Sequence, residues 1–217
     1  MNTSPLSPWL ACLLLVVACG AASAVEVTVD LRAAPECQAF ADVATKLIVE
    51  WTPKVHEILD GGDAPLADRT VKVTFRPMDG VAHTKGGEIV ISSEWVTKKA
   101  PEDYGMVIHE LVHVLQDYRR GSEFWVTEGI ADYVRYEQYE PGKQKWRLQP
   151  GQSSYRQGYG IAGAFLGWLA REKDPEIVRK LNAACRAGQY QPELFEQWCG
   201  ASVDALWDDY VKSQQQP

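Results

Sequence analysis

Two periodicities divide this chain. Apolar and polar residues alternate in VEVTVDLR at 25–32 and in RTVKVTFRP at 69–77, the pattern of strands with one face covered. The double glycine of GGEIVIS leads into a third strand, predicted over 86–92. Between the first two strands, PECQAFADVATKLIVEWTPKVHEIL repeats its apolar positions at helical spacing and predicts a helix over 35–59, ended by GGDAP. Beyond residue 100 the helical period takes over. MVIHELVHVL at 106–115 is apolar nearly all round and predicts a deeply buried helix, and WVTEGIADYVRYEQY predicts another over 125–139. A segment with two Pro-Gly pairs, 139–154, reads as a loop at the rim of a cleft. Helices are then predicted over 155–173, 175–187 and 192–199, followed by a last one with Ser202 as N-cap and a frayed SQQQP tail. The fold class expected is α+β: a small mixed sheet packed on the 106–115 helix, then a mainly helical C-terminal half.

Polar residues inside the most apolar helix change the picture. HELVH at 109–113 puts His109 and His113 four residues apart, on one face of a helix, with Glu110 beside them. Buried imidazoles and a buried carboxylate are costly unless partnered, and a zinc ion suits two His and a Glu. On the next predicted helix Glu128 and Asp132 are again four apart. A catalytic zinc takes three protein ligands and keeps a position for water, so Glu128 completes a His/His/Glu set with Glu110 as the base. Asp132 is placed to accept a hydrogen bond from His109 and fix its tautomer. The alternative pattern with a third His does not fit, because Arg119 stands at that position.

HELVHVLQ, WVTEGIADYVR, SYRQGYGIAGAFLGWL and GASVDALWDDY together resemble the plant and bacterial basic secretory protein family, a group of secreted zinc peptidases of the HExxH–glutamate class. The resemblance implies a thermolysin-like catalytic core with His109, His113 and Glu128 as zinc ligands, Glu110 as catalytic residue and a peptide or protein as substrate. In this class the strand ahead of the HExxH helix commonly binds the substrate backbone, which makes 86–92 the candidate edge strand. Tyr159 lies in the family-like stretch SYRQGYGIAG, where a phenol could donate to the tetrahedral oxyanion. His83, just ahead of the third strand, is a second candidate for that work; His56 is assigned none. Glycines 158, 160, 163 and 167 point to close helix packing. Two rivals stand beside peptide hydrolysis: a non-catalytic binding protein that keeps zinc for stability, and a zinc amidase acting on cell-wall peptides.

Composition narrows partners and place. With 22 Lys and Arg against 29 Asp and Glu the net charge is −7, so the chain is acidic despite the family's name, and nucleic acid is not an expected partner. Residues 1–24 carry no charged side chain and end in Ala-Ser-Ala, a signal-peptidase site, leaving 25–217 as a single exported domain. Val-Val-Ala-Cys at 16–19 also resembles a lipobox, so a lipid anchor on Cys19 is the alternative to a soluble exported form. No later stretch is long and apolar enough to span a bilayer. Of Cys37, Cys185 and Cys199, the pair expected to form a disulfide is Cys185 with Cys199.

Overall fold

The computed structural model describes residues 25–61, 66–118, 122–144, 146–149 and 151–215. The leader reading of residues 1–24, with Cys19, lies outside them.

Four strands form one mixed sheet in the order β1-β2-β4-β3. β1 (Val25–Asp30) and β2 (Arg69–Arg76) run parallel, β2 and β4 (Glu88–Ser92) run parallel, and β3 (Ala82–Lys85) lies antiparallel to β4 at the edge. The predicted edge strand over 86–92 is therefore corrected. Gly86 and Gly87 have φ of 58° and 80° and make the hairpin turn, β4 is an inner strand, and the edge belongs to AHTK. Four residues with a Lys and a His carry too little strand pattern to be seen in the sequence. Val71, Val73, Phe75, Ile89 and Ile91 turn inward and are fully buried. Against the sheet lie α1 (Gln38–Asp60) and α2 (Gly105–Gln116).

The second half is helical: α3 (Phe124–Tyr133), widened into a π-helical turn over Val134–Tyr139, then α4 (Tyr159–Glu172), α5 (Ile177–Ala187), α6 (Leu194–Cys199) and α7 (Val203–Ser213). Ser202 caps α7 by accepting from the Ala205 N–H. The single helix predicted over 155–173 is broken: a 3₁₀ turn over Tyr155–Gln157 ends at Gly158, and α4 starts afresh. Trp125, Tyr155, Phe165, Phe195 and Trp207 fill the helical half with edge-to-face and stacked ring contacts. No helix among the described residues is long and apolar enough to cross a membrane.

α2 is held at both ends. At its start Arg135 donates to Asp103 at 2.6 Å and to Glu140 at 2.7 Å, and these groups lie so close over Gly105 that a side chain there would run into Glu140 and Arg135. At its end the carbonyls left over by the helix are taken by arginines from other elements: Arg69 reaches Val114 O at 2.7 Å, and Arg186 reaches Leu115 O at 3.0 Å while pairing with Asp60. Cationic side chains at a helix C-terminus also favour its dipole. The helix carrying HELVH is thus fixed along its axis.

α3 and α4 pack on small residues. A Cβ on Gly163 would stand 2.8 Å from the Tyr133 backbone nitrogen, and one on Gly129 would stand 2.9 Å from the Ala162 Cβ. This closeness holds α4 tightly against α3. Gly163→Ala is expected to lower stability by about 1–3 kcal/mol, because the obstructing atoms are backbone and cannot swing away. Chemical denaturation of the two proteins measures it, and an unchanged midpoint would show that the helices separate at no cost.

The expected disulfide is also corrected, since Cys37, Cys185 and Cys199 are all free thiols. Cys185 is buried in the last turn of α5, whereas Cys199 is the last residue of α6 and only partly buried. Burial pushes the Cys185 thiol up to about 12, so it stays protonated.

Candidate active site

The inward faces of α2 and α3 meet beside the edge strand, at the floor of a cleft of about 2000 Å³. His109, His113 and Glu128 converge there. His109 Nε2 lies 3.0 Å from His113 Nε2 and 3.2 Å from Glu128 Oε2, and His113 Nε2 lies 3.5 Å from the same oxygen. These three side chains form a group that could hold a metal ion. A tetrahedral ion with bonds of about 2.0–2.1 Å spaces its ligand atoms by roughly 3.3 Å, so the triangle fits zinc in size and in donor chemistry.

The other ring nitrogens settle what the triangle offers. Asp132 Oδ1 lies 2.6 Å from His109 Nδ1, and a carboxylate accepts, so that nitrogen carries a proton. Gln116 donates its amide nitrogen to Thr127 O at 3.0 Å, which turns its Oε1 toward His113 Nδ1 at 2.7 Å. Both rings therefore hold hydrogen on Nδ1 and point Nε2 at Glu128. Gln116 was not singled out in the sequence. Its spacing of three from His113 is the one signal that could have found it.

Neighbouring charges set the protonation of His109 and Glu128. Burial works against charge on His109, but Asp132 and Glu128 outweigh it and raise the ring to about 10. Burial likewise opposes the Glu128 carboxylate, yet His109 and His113 bring it down to about 2. A divalent ion entering the triangle must displace the His109 proton. Below about pH 10 its affinity is therefore expected to rise with pH, by roughly tenfold per unit, and near neutral pH zinc is expected to release roughly one proton per ion. Titration of metal-free protein with zinc in weak buffer measures this; a binding event that releases no proton would mean that the ring is already neutral.

Glu110 is 6% exposed, and Thr84 on β3 donates to its Oε2 at 2.7 Å. The edge strand so aims a carboxylate into the cleft. Thr84 escaped the sequence reading because nothing local links residue 84 to residue 110. Tyr159 also lines the cleft, its ring stacked 6.2 Å from that of His109. Its φ is +48°, a left-handed conformation that costs a bulky side chain of the order of 1–3 kcal/mol, and it follows Gly158 at φ +74°. That turn throws the phenol outward. Burial, then the charges of Glu128, Asp132 and Glu110, raise the Tyr159 pKa and keep it a hydrogen donor. His83 lies exposed on the edge strand at the cleft wall. His56 is remote from the cleft and contacts Asp60. The predicted rim loop does contribute Lys143 and Trp146 to the lining.

A family model described as a peptidase of plants and bacteria matches residues 29–210. Among solved structures, the M1 zinc metallopeptidase from Deinococcus radiodurans matches with a TM-score of 0.56 and 14% identity, over 94% of this chain and 52% of that one. A variant of the same enzyme matches with a TM-score of 0.51 and 13% identity, again over 94% and 52%. At such low identity the likeness is one of fold. The chain spans about half the length of these structures. No curated protein matches it.

Proposed function

Because the chain belongs to the family of peptidases of plants and bacteria, we propose that it is an exported zinc-dependent peptidase whose ion is held by His109, His113 and Glu128. The observation that carries this reading is the triangle itself: three donor atoms from two helices, spaced for zinc, with both ring tautomers set by Asp132 and Gln116. Zinc, when bound, acidifies a water in its remaining position and polarises the scissile carbonyl.

The chain's own residues do the rest. Glu110 takes the proton of the attacking water and delivers it to the leaving amine, and Thr84 keeps the carboxylate from rotating out of reach. Asp132 and Gln116 orient the two imidazoles, so neither ring can flip its bare nitrogen away from the triangle. Tyr159 donates its phenolic hydrogen to the oxygen that gains negative charge. The edge strand β3 presents unpaired backbone groups along the cleft, where an extended peptide can add as a further strand. The leader-like residues 1–24 support a place outside the cytoplasm, as a soluble protein rather than one anchored at Cys19.

Purified 25–217 is expected to cleave members of a mixed peptide library, to lose that activity on removal of metal by a chelator, and to regain it with zinc. Mass spectrometry of the products reads both the activity and the bonds cut. Zinc-loaded protein that leaves every peptide intact would overturn the reading.

A further inference from the structure

Among the described residues the large apolar side chains left exposed are Val49, Phe124 and Tyr159. Val49 stands alone on α1, but the two aromatic rings, each 51% exposed, meet edge to face at 5.5 Å. We propose that Phe124 and Tyr159 are the wall of a side-chain subsite, which selects an apolar, above all aromatic, residue next to the scissile bond. The inference rests on the peptidase reading and names the substrate class for it.

The position of the pair carries the inference. Phe124 is one helical turn ahead of Glu128, so both leave the same face of α3. Tyr159 stacks on His109 from the other side. Consecutive Cα atoms of a peptide lie about 3.8 Å apart, so the side chain flanking a carbonyl held at the triangle is within reach of rings that begin 6.2 Å from His109.

The backbone beneath is built around the rings. A Cβ on Gly158 would stand 2.7 Å from the Phe124 ring, and one on Gly160 would run into the indole of Trp146. The turn Gly158–Tyr159–Gly160 is thus flanked by two aromatic side chains and holds its middle residue at positive φ, pointing at solvent. Both the strain and the exposed rings work against the free protein, and a bound apolar side chain recovers the second cost. Elsewhere the cleft lining mixes charged residues such as Lys99, Glu102 and Lys143 with apolar ones such as Val81, Trp95 and Met106, and the Phe124–Tyr159 shelf is the exposed aromatic part that adjoins His109.

The test uses two peptides that differ only by Phe or Ala beside the cleaved bond. Zinc-loaded wild type is expected to favour Phe by about 10–100-fold in kcat/KM. Phe124→Ala should reduce that preference to within about threefold, by losing far more rate on the Phe peptide than on the Ala peptide while zinc content is retained. Equal cleavage of both peptides by wild type, or a Phe preference that survives in the variant, would overturn the subsite and leave the peptidase standing. Failure of the wild type to cut either peptide would instead sink the peptidase reading. In that case binding of the same peptides to zinc-loaded Glu110→Gln decides the subsite: a Phe preference that disappears on adding Phe124→Ala supports it, and equal binding overturns it.

Discussion

Glu110→Gln is expected to lower kcat by about 10²–10⁴-fold while metal content stays as in wild type. The amide keeps the size of the carboxylate, and its carbonyl oxygen can still accept from Thr84, so the helix and the triangle keep their geometry. What is lost is the ability to take a proton. Because Glu110 lies outside the His109, His113 and Glu128 group, the proposed ligand set is intact, and the loss is expected to fall on turnover more than on KM. Parallel assay of peptide cleavage and zinc content makes the separation visible. A variant that still cuts at an appreciable fraction of the wild-type rate would remove Glu110 from the chemistry and send the search for a base to other cleft residues.

Glu128→Ala is expected to have the complementary effect of weakening zinc binding. Two imidazoles remain, 3.0 Å apart at their Nε2 atoms, with neither the negative charge nor the third donor. Loss of an outer partner of a ligand costs about 10–100-fold in metal affinity, so loss of the ligand itself should cost more than that. Asp132→Asn and Gln116→Leu, which disturb only the ring that each partner orients, should fall within that smaller range. Competition against a chromophoric chelator ranks all three. Wild-type affinity in Glu128→Ala would show that this carboxylate is not a ligand, whatever its place in the triangle.

The same variant bears on proton balance. In metal-free protein Glu128 is one of the three carboxylates that raise the His109 ring to about 10. Its removal lowers that pKa, so zinc binding to Glu128→Ala should release less than the full proton near neutral pH. Weak affinity and reduced proton release belong together, because both follow from one missing charge.

Much of this was legible in the residues themselves. An α-helix repeats every 3.6 residues, so HELVH and the Glu128/Asp132 pair each declared two side chains on one face without any knowledge of the fold. The apolar flanks of HELVH likewise required burial, and α2 is buried along nearly its whole length. Alternation marked β1 and β2 for the same reason, a local period that needs no partner to be read.

What tertiary structure decided is every relation between segments far apart in the chain. Which strand lies at the sheet edge depends on hairpin pairing, and the four-residue β3 had no period long enough to announce itself; it nevertheless supplies Thr84 to Glu110, 26 residues away. Whether two cysteines meet depends on how their helices pack, and Cys185 and Cys199 stay free thiols despite their closeness in sequence. Phe124 carries no sign in the sequence that it is exposed, since an aromatic residue opening a helix ordinarily turns to the core. Its place beside Glu128 follows from their four-residue spacing on α3, but its meeting with Tyr159 follows from the packing of α3 on α4 across Gly129 and Gly163.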